Sequence, residues 1–195
     1  MNKKKRGLVF VLSAPAGTGK TTLARMLAKE FPSLVLSVSS TTRPSRSFEQ
    51  EGRDYHFLSR EEFEKQILAG EFLEYAEVFG NYYGTSKKSL EKMRSSGKHV
   101  LLVIDTQGAL QLKERIDAVY IFIAPPNFQE LQRRLEARES ESGEEIQKRL
   151  SWAHQEMAEI DQYDYLIVND TLDNAYAVLR SILIAEEHRV YAKTH

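Results

Sequence analysis

The 195-residue sequence predicts an α/β fold of three layers, with helices on both faces of a central parallel sheet. Three observations carry that prediction. The runs Leu8–Leu12, His99–Ile104, Val119–Ile123 and Tyr165–Val168 are short, apolar and β-rich, the texture of strands buried on both faces. Segments with helical spacing lie between them. A glycine-rich turn follows the first run directly and leads into a helix.

Taken in order, Leu8–Leu12 is the first strand, and Leu23, Met26, Leu27 and Phe31 recur at helical spacing behind the turn. Leu34–Val38 reads as a short second strand. From Ser39 to Ser86 the chain turns polar and dense in Arg and Tyr, with β-like pieces at Tyr55–Leu58 and Phe72–Phe79. A helix between them is announced by the capping-box pair Ser59 and Glu62 and closed near Gly70. The alternation then resumes: a helix over Ser86–Ser95, a strand over His99–Ile104, a helix over Gln107–Arg115 and a strand over Val119–Ile123, stopped by Pro125 and Pro126. Asn127 caps a helix running to Arg138, and the polar stretch Glu139–Gly143 reads as a mobile connection. A long helix covers Glu144–Gln162, with Trp152, Met157 and Ile160 expected in the core. Tyr165–Val168 is the last strand and Asp173–Arg189 the closing helix. The expected organisation is a single domain over 1–195, with core segments 1–38, 87–126 and 163–195, an insertion at 39–86 and a lid region at 127–162.

Composition narrows the classes. Hydrophobic residues make up 42% of the chain, enough for an ordinary core, and 27 basic residues balance 28 acidic ones for a net charge of −1. That balance argues against a broad nucleic-acid surface. Without cysteine there is no disulfide framework, thiolate nucleophile or cysteine metal site. No apolar run approaches the ~20 residues of a membrane-spanning helix. The basic residues Lys3, Lys4, Lys5 and Arg6 precede an apolar run too short for a signal-peptide core, so they read as the start of the first strand. The expected setting is cytoplasmic. The five histidines (56, 99, 154, 188 and 195) have no metal spacing.

The turn Ala14-Pro15-Ala16-Gly17-Thr18-Gly19-Lys20-Thr21, followed by Thr22, matches the G-x-x-x-x-G-K-[ST] phosphate-binding pattern with Ala14 in place of the first glycine. Its glycines let successive N–H groups point at one phosphate at the positive end of the following helix. Lys20 brings a mobile charge to the β- and γ-phosphates, and the Thr21 hydroxyl is a candidate Mg²⁺ ligand. Ala14 is tolerated wherever its φ stays negative. The fold is therefore expected to be a three-layer P-loop NTPase fold, a scaffold that serves motors, switches and kinases alike.

The insertion narrows the reaction. Arg43 and Arg46, three apart in a proline-containing loop, can grip a phosphate, with Tyr55 and Tyr83 as phenolic donors. The sequence around them closely resembles the guanylate kinase family over nearly the whole chain. The resemblance rests on Ser37-Val-Ser-Ser-Thr-Thr-Arg43, Gly52-Arg-Asp-Tyr55, Gly70-Glu-Phe-Leu-Glu74 and Gly80-Asn-Tyr-Tyr-Gly-Thr85. It continues through Ile104-Asp-Thr-Gln-Gly108, Phe122-Ile-Ala-Pro-Pro126, Arg133-Arg-Leu-Glu-Ala-Arg138 and Ile167-Val-Asn-Asp170.

The resemblance implies that Arg43, Arg46, Tyr55 and Tyr83 hold a GMP phosphate, and that Glu74 reads the guanine with Ser39 and Thr85 beside it. A carboxylate can accept both N1–H and N2–H of guanine, whereas adenine offers a lone pair at N1. Asp105, at the carboxyl end of its strand, is the candidate acid for the Mg²⁺ water shell. Many family members carry a second acid two residues earlier, where this chain has Val103. The resemblance also places Arg134, Arg138 and Arg149 around the ATP phosphates and adenine, with Asn169 near the adenine. The family often has glycine after the lid arginine, here Glu139.

The expectation is an enzyme that passes a phosphoryl group from ATP to GMP, or to dGMP, with Mg²⁺ and as a monomer or homodimer. Two competitors stand beside it. One is a guanylate-kinase-like module that binds a phosphoprotein, against which the intact Lys20 loop argues. The other is a kinase for a different small acceptor, against which Glu74 and Thr85 argue.

Overall fold

The computed structural model describes residues 7–113, 115–137 and 143–190. Lys3–Arg6, Arg138, the stretch from Glu139 to Ser142 and His195 lie outside the described residues.

Two sheets form. The larger is fully parallel and runs in the order β2 (Leu34–Leu36), β7 (His99–Val103), β1 (Val9–Ser13), β8 (Val119–Ala124), β9 (Tyr165–Val168). The central strands β7, β1 and β8 bury both faces, and alternation divides their side chains between two cores, whereas the edge strand β9 leaves Leu166 and Val168 exposed. Phe10, Leu12, Leu101, Ile121 and Ile123 meet Leu23 and Leu27 of α1 (Lys20–Glu30) and Leu179 and Leu183 of α7 (Leu172–Glu187). Val9, Val11, Val100 and Leu102 meet Leu90 of α3 (Lys87–Ser95) and Ala109 and Leu112 of α4 (Thr106–Lys113) on the other side. These are the three layers the sequence predicts, and Val103 packs against the first of the two cores.

The smaller sheet is the insertion. Its order is β4 (His56–Phe57), β3 (Ser40–Thr41), β6 (Asn81–Ser86), β5 (Phe72–Val78), with β3–β4 parallel and the other pairs antiparallel. Helix α2 (Arg60–Leu68) covers it and carries the predicted capping box: the Ser59 hydroxyl accepts from the Glu62 N–H, and the Glu62 carboxylate accepts from the Ser59 N–H. Strand β6 is absent from the sequence reading, because Asn-Tyr-Tyr-Gly-Thr-Ser has neither a clear alternation nor an apolar run. Its place is set by pairing with β5 and by Gly84, where an added Cβ would sit 3.0 Å from both Phe63 and Phe72. Phe79, at the turn between β5 and β6, has φ +50° and is the one non-glycine residue with positive φ among the described residues.

Helices α5 (Phe128–Glu136) and α6 (Gly143–Ala158) enclose a third cluster of Leu131, Leu135, Ile146 and Ala153. Ala16 of the glycine-rich turn packs into that cluster, so α5 backs the turn directly. The long helix stops at Ala158, with a 3₁₀ turn over Ile160–Gln162. Trp152 is not in the core as expected. It leaves the α5–α6 cluster and packs its ring against Phe79, with centroids 5.9 Å apart.

Candidate active site

The turn between β1 and α1 is a phosphate cradle by its own geometry. Gly17 (φ +90°) and Gly19 (φ +88°) hold left-handed conformations that other residues resist. Both also lack room for a side chain: a Cβ on Gly17 would meet Leu135 at 3.1 Å, and one on Gly19 would meet the Asn169 amide at 2.7 Å. Ala14 has no positive φ and is buried in the core, so its methyl fits where the pattern has glycine. Thr18 turns inward, its hydroxyl donating to the Pro15 carbonyl at 2.8 Å. Asn169 donates to the Thr18 carbonyl at 2.6 Å, and Arg134 donates to the Asn169 carbonyl at 3.0 Å while pairing with Glu130 at 2.7 Å. The amide of Asn169, expected beside the adenine, is thus tied to the back of the loop. Thr21 and Thr22, in the first turn of α1, are exposed.

Lys20, the first residue of α1, donates to the Ile104 carbonyl at 2.8 Å at the end of β7. Burial lowers its pKa, against the pull of the Glu156 and Asp105 carboxylates. Asp105 caps α4, its Oδ1 accepting from the Gly108 N–H at 2.8 Å. Its Oδ2 is buried without a hydrogen-bond partner, and burial raises the carboxyl's pKa.

In the insertion, strand alternation places Glu74 on the inward face of β5 between Phe72 and Ala76. It is 3% exposed and lies opposite Thr85 of β6. Burial is the main force lifting its pKa to about 7, and the Asp105 charge adds to it. Thr85 pulls the other way, yet Glu74 Oε1 and the Thr85 hydroxyl fall short of a hydrogen bond and both are buried without a partner. A carboxylate oxygen and a hydroxyl left unpartnered at one buried spot are costly unless a hydrogen-bonding ligand enters.

Helix α4 and the turn that follows it hold this strand in place. Gln111 donates to the Tyr75 carbonyl and Arg115 to the Leu73 carbonyl, each at 2.8 Å, on either side of Glu74. Gly108 admits the carboxylate itself: a Cβ there would lie 2.5 Å from Glu74 Oε2 and 3.2 Å from Asp105 Oδ1.

Arg43, Tyr55 and Tyr83 converge. The Arg43 guanidinium lies 5.6 Å from the Tyr55 ring centroid, and the two tyrosine rings meet edge-on at 6.0 Å. Arg43 grips Glu49 through both carboxylate oxygens, at 2.7 and 2.9 Å, and Glu49 also accepts from the Arg46 N–H at 2.8 Å. Arg46 therefore joins the cluster by its main chain while its residue stays exposed. Ser39, half-buried just before β3, contributes its carbonyl to the His56 N–H. Arg149 stacks over Phe79 at 5.0 Å, so α6 touches the tip of the β5–β6 hairpin.

Glu49, Gly108, Gln111, Arg115 and Glu156 are the members that motif reading misses. Gly108 and Gln111, three apart, share one face of α4, a spacing that the sequence does display, and Arg115 sits in the turn beyond the helix. Glu156 interrupts the apolar side of α6, which carries Ile146 and Ala153.

A parallel sheet whose first strand ends in a phosphate cradle, with Lys20 and a strand-end acid beside it, defines a P-loop nucleotide-binding protein. The family model described as guanylate kinase matches residues 6–186. A guanylate kinase from Protochlamydia amoebophila is 53% identical over 98% of this chain and 97% of its own length. One from Geobacter sulfurreducens is 51% identical over 95% and 92%. The crystal structure of guanylate kinase from Anaplasma phagocytophilum superposes with a TM-score of 0.80 at 40% identity, covering 96% of this chain and 89% of that one. The chain belongs to the guanylate kinase family.

Proposed function

We propose that this protein is an ATP:GMP phosphotransferase that produces ADP and GDP by direct transfer, working in the cytoplasm on small molecules rather than on nucleic acid or membranes. The observation that carries the reading is the position of Asp105. Its charge reaches Lys20 of the phosphate loop, and its Oδ1 shares the Gly108 gap with the guanine-reading candidate Glu74. One residue therefore joins the donor and acceptor halves.

In this reading the loop from Ala14 to Thr22, through its N–H groups other than at Pro15, and the Lys20 ammonium hold the ATP phosphates, with Asn169 and Arg134 acting through the loop they brace. Arg43, Arg46, Tyr55 and Tyr83 hold the GMP phosphate, which takes the place of Glu49 on Arg43. Glu74, with Ser39 and Thr85, receives the guanine edge. Transfer needs no enzyme-bound intermediate; catalysis is alignment plus cations near the migrating charge, supplied by Lys20, Arg46, Arg149 and Arg138. Mg²⁺ fits as a nucleotide-borne ion: the available donors are the exposed Thr21 hydroxyl and the unpartnered Asp105 Oδ2, and no cluster of three or more ligating side chains exists among the described residues. When bound, it would neutralise phosphate charge.

A steady-state assay of ATP with GMP, dGMP, AMP, CMP and UMP tests the assignment. GMP or dGMP should give the highest kcat/KM; a preference for AMP or CMP removes the base-reading role of Glu74.

Gly108 supplies a sharper check. Alanine in a helix normally stabilises by about 0.5–1 kcal/mol relative to glycine. Here its methyl collides with the Glu74 carboxylate, so Gly108→Ala should raise KM for GMP about 10–100-fold while KM for ATP moves less than about twofold. Equal changes in both constants would mean the substitution disturbs the whole site.

A further inference from the structure

The tip of the β5–β6 hairpin adopts a backbone conformation that its sequence does not favour. Phe79 and Gly80 lie between the paired residues Val78 and Asn81, and both have positive φ, at +50° and +77°. Positive φ at both centres of a two-residue loop is the type I′ pattern, which prefers Asn-Gly. An aromatic residue resists that conformation, so Phe79 is held under backbone strain. The Asn81 amide donates to the Phe79 carbonyl at 3.2 Å and steadies the turn.

The ring shows what the strained position gains. It is half-exposed and reaches out of the insertion to α6. The Arg149 guanidinium lies 5.0 Å from its centroid, and the Trp152 ring is 5.9 Å away. Arg149 and Trp152 are three apart and share one face of α6, so one ring meets both. A guanidinium over an aromatic face is attracted by the ring quadrupole, while the N–H groups in its plane stay available to phosphate oxygens. The same hairpin carries the candidate base reader. Glu74 and Thr85 sit farther along its two strands, with continuous pairing from Glu74–Thr85 to Val78–Asn81. A ligand seated against Glu74 therefore fixes the strand that presents Phe79 to α6.

We propose that Phe79 is a positioning residue for Arg149: through this ring the acceptor-binding insertion holds that arginine in place for transfer. The inference rests on Arg149 being one of the cations that meet the migrating phosphoryl group. A Phe79 that merely fastened the insertion to α6 would act on the whole site rather than through Arg149.

Steady-state kinetics and intrinsic fluorescence separate these readings, using the parent, Phe79→Asn, Arg149→Met and the double variant. Asparagine tolerates positive φ and forms the favoured pair with Gly80, so it removes the ring while relaxing the turn. Phe79→Asn should lower kcat about 5–20-fold and leave KM for GMP within about threefold. In the Arg149→Met background the same substitution should change kcat less than about twofold, because its effect passes through Arg149. Phe79→Tyr keeps the π face and should retain kcat within about twofold. Trp152 is the single tryptophan of the chain, so its emission reports the contact and should shift to longer wavelength in Phe79→Asn.

An unchanged kcat in Phe79→Asn overturns the proposal. So does an equal loss in the Arg149→Met background, which would make Phe79 a general fastening, or a loss in Phe79→Tyr as large as in Phe79→Asn. Unchanged Trp152 emission overturns it as well, since the ring would then not lie against α6 in solution. If Phe79→Asn lacks a cooperative melting transition, Phe79→Leu carries the test. It keeps an apolar side chain without a π face and should lower kcat about threefold or more; no loss there also overturns the proposal. If Arg149→Met turns over as the parent does, the catalytic reading of Arg149 itself fails. That outcome is distinct from a slow Arg149→Met beside an unaffected Phe79→Asn, in which only the Phe79 step fails.

Discussion

Lys20→Met should lower kcat about 10³-fold, leave KM for GMP within about twofold and leave the fold intact. The loop explains why kcat takes most of the loss. Its backbone N–H groups and the N-terminus of α1 persist in the variant and continue to bind phosphate. Lys20 is the mobile charge, and its value lies in following the oxygens as charge redistributes during transfer. KM for ATP should therefore rise by much less than kcat falls. Stability should not suffer. Burial lowers the pKa of Lys20, so its charged form costs stability at neutral pH, and a methionine of similar length removes that cost. The measurement is kcat, both KM values and a melting curve at pH 7. A kcat within about tenfold of the parent would remove Lys20 from the catalytic group. If the parent itself turns over neither GMP nor dGMP with ATP, the phosphoprotein-binding module becomes the better reading.

The donor side was legible in the sequence because its function is carried by backbone shape. Gly17, Gly19, Lys20 and Thr21 between an apolar strand and an amphipathic helix leave few alternatives, and the structure gives both glycines the left-handed conformations the motif demands. Glu74 was legible for a different reason: the Gly70-Glu-Phe-Leu-Glu74 motif carries it through the resemblance, and its inward place between Phe72 and Ala76 emerges only with the fold. What stayed hidden depends on contacts across long separations. Asn169 braces the loop from 151 residues away, and Gln111 of α4 and Arg115 of the turn after it support β5. Glu49 was hidden because in sequence it is one more acid in a polar insertion; only the fold brings it onto Arg43. Trp152 misled in the opposite sense. Its size argues for the core, yet it packs on Phe79 of the insertion, joining two parts of the chain that sequence treats as independent. Arg46 meets the Glu49 carboxylate through its main-chain N–H while its side chain stays exposed, a contact that spacing does not reveal.

Glu74→Gln should cost GMP about 10²–10³-fold in kcat/KM and leave KM for ATP nearly unchanged. Guanine presents two donors to this position. A carboxylate accepts both, whereas glutamine accepts one and turns its own N–H₂ donor toward the other. The same substitution should raise the melting temperature above pH 7. The Glu74 carboxyl has an ordinary value of 4.5 and is lifted to about 7 in the folded protein, chiefly by burial. Between those values the folded state binds more protons than the unfolded chain, so stability falls as pH rises through the window and the loss persists above it. Removing the charge returns about 1–3 kcal/mol at pH 8 and nothing below pH 4. The pH profile adds a third readout. In the parent, KM for GMP should climb as pH falls below about 7, because a protonated Glu74 no longer accepts both donors. In Glu74→Gln that limb disappears, leaving the one at pH ~6 that belongs to the GMP phosphate itself. A variant that melts higher, keeps its ATP constants and loses GMP identifies Glu74 as a group strained by the fold so that it can read the base. Comparable losses for ATP and GMP would instead mark it as part of the general architecture.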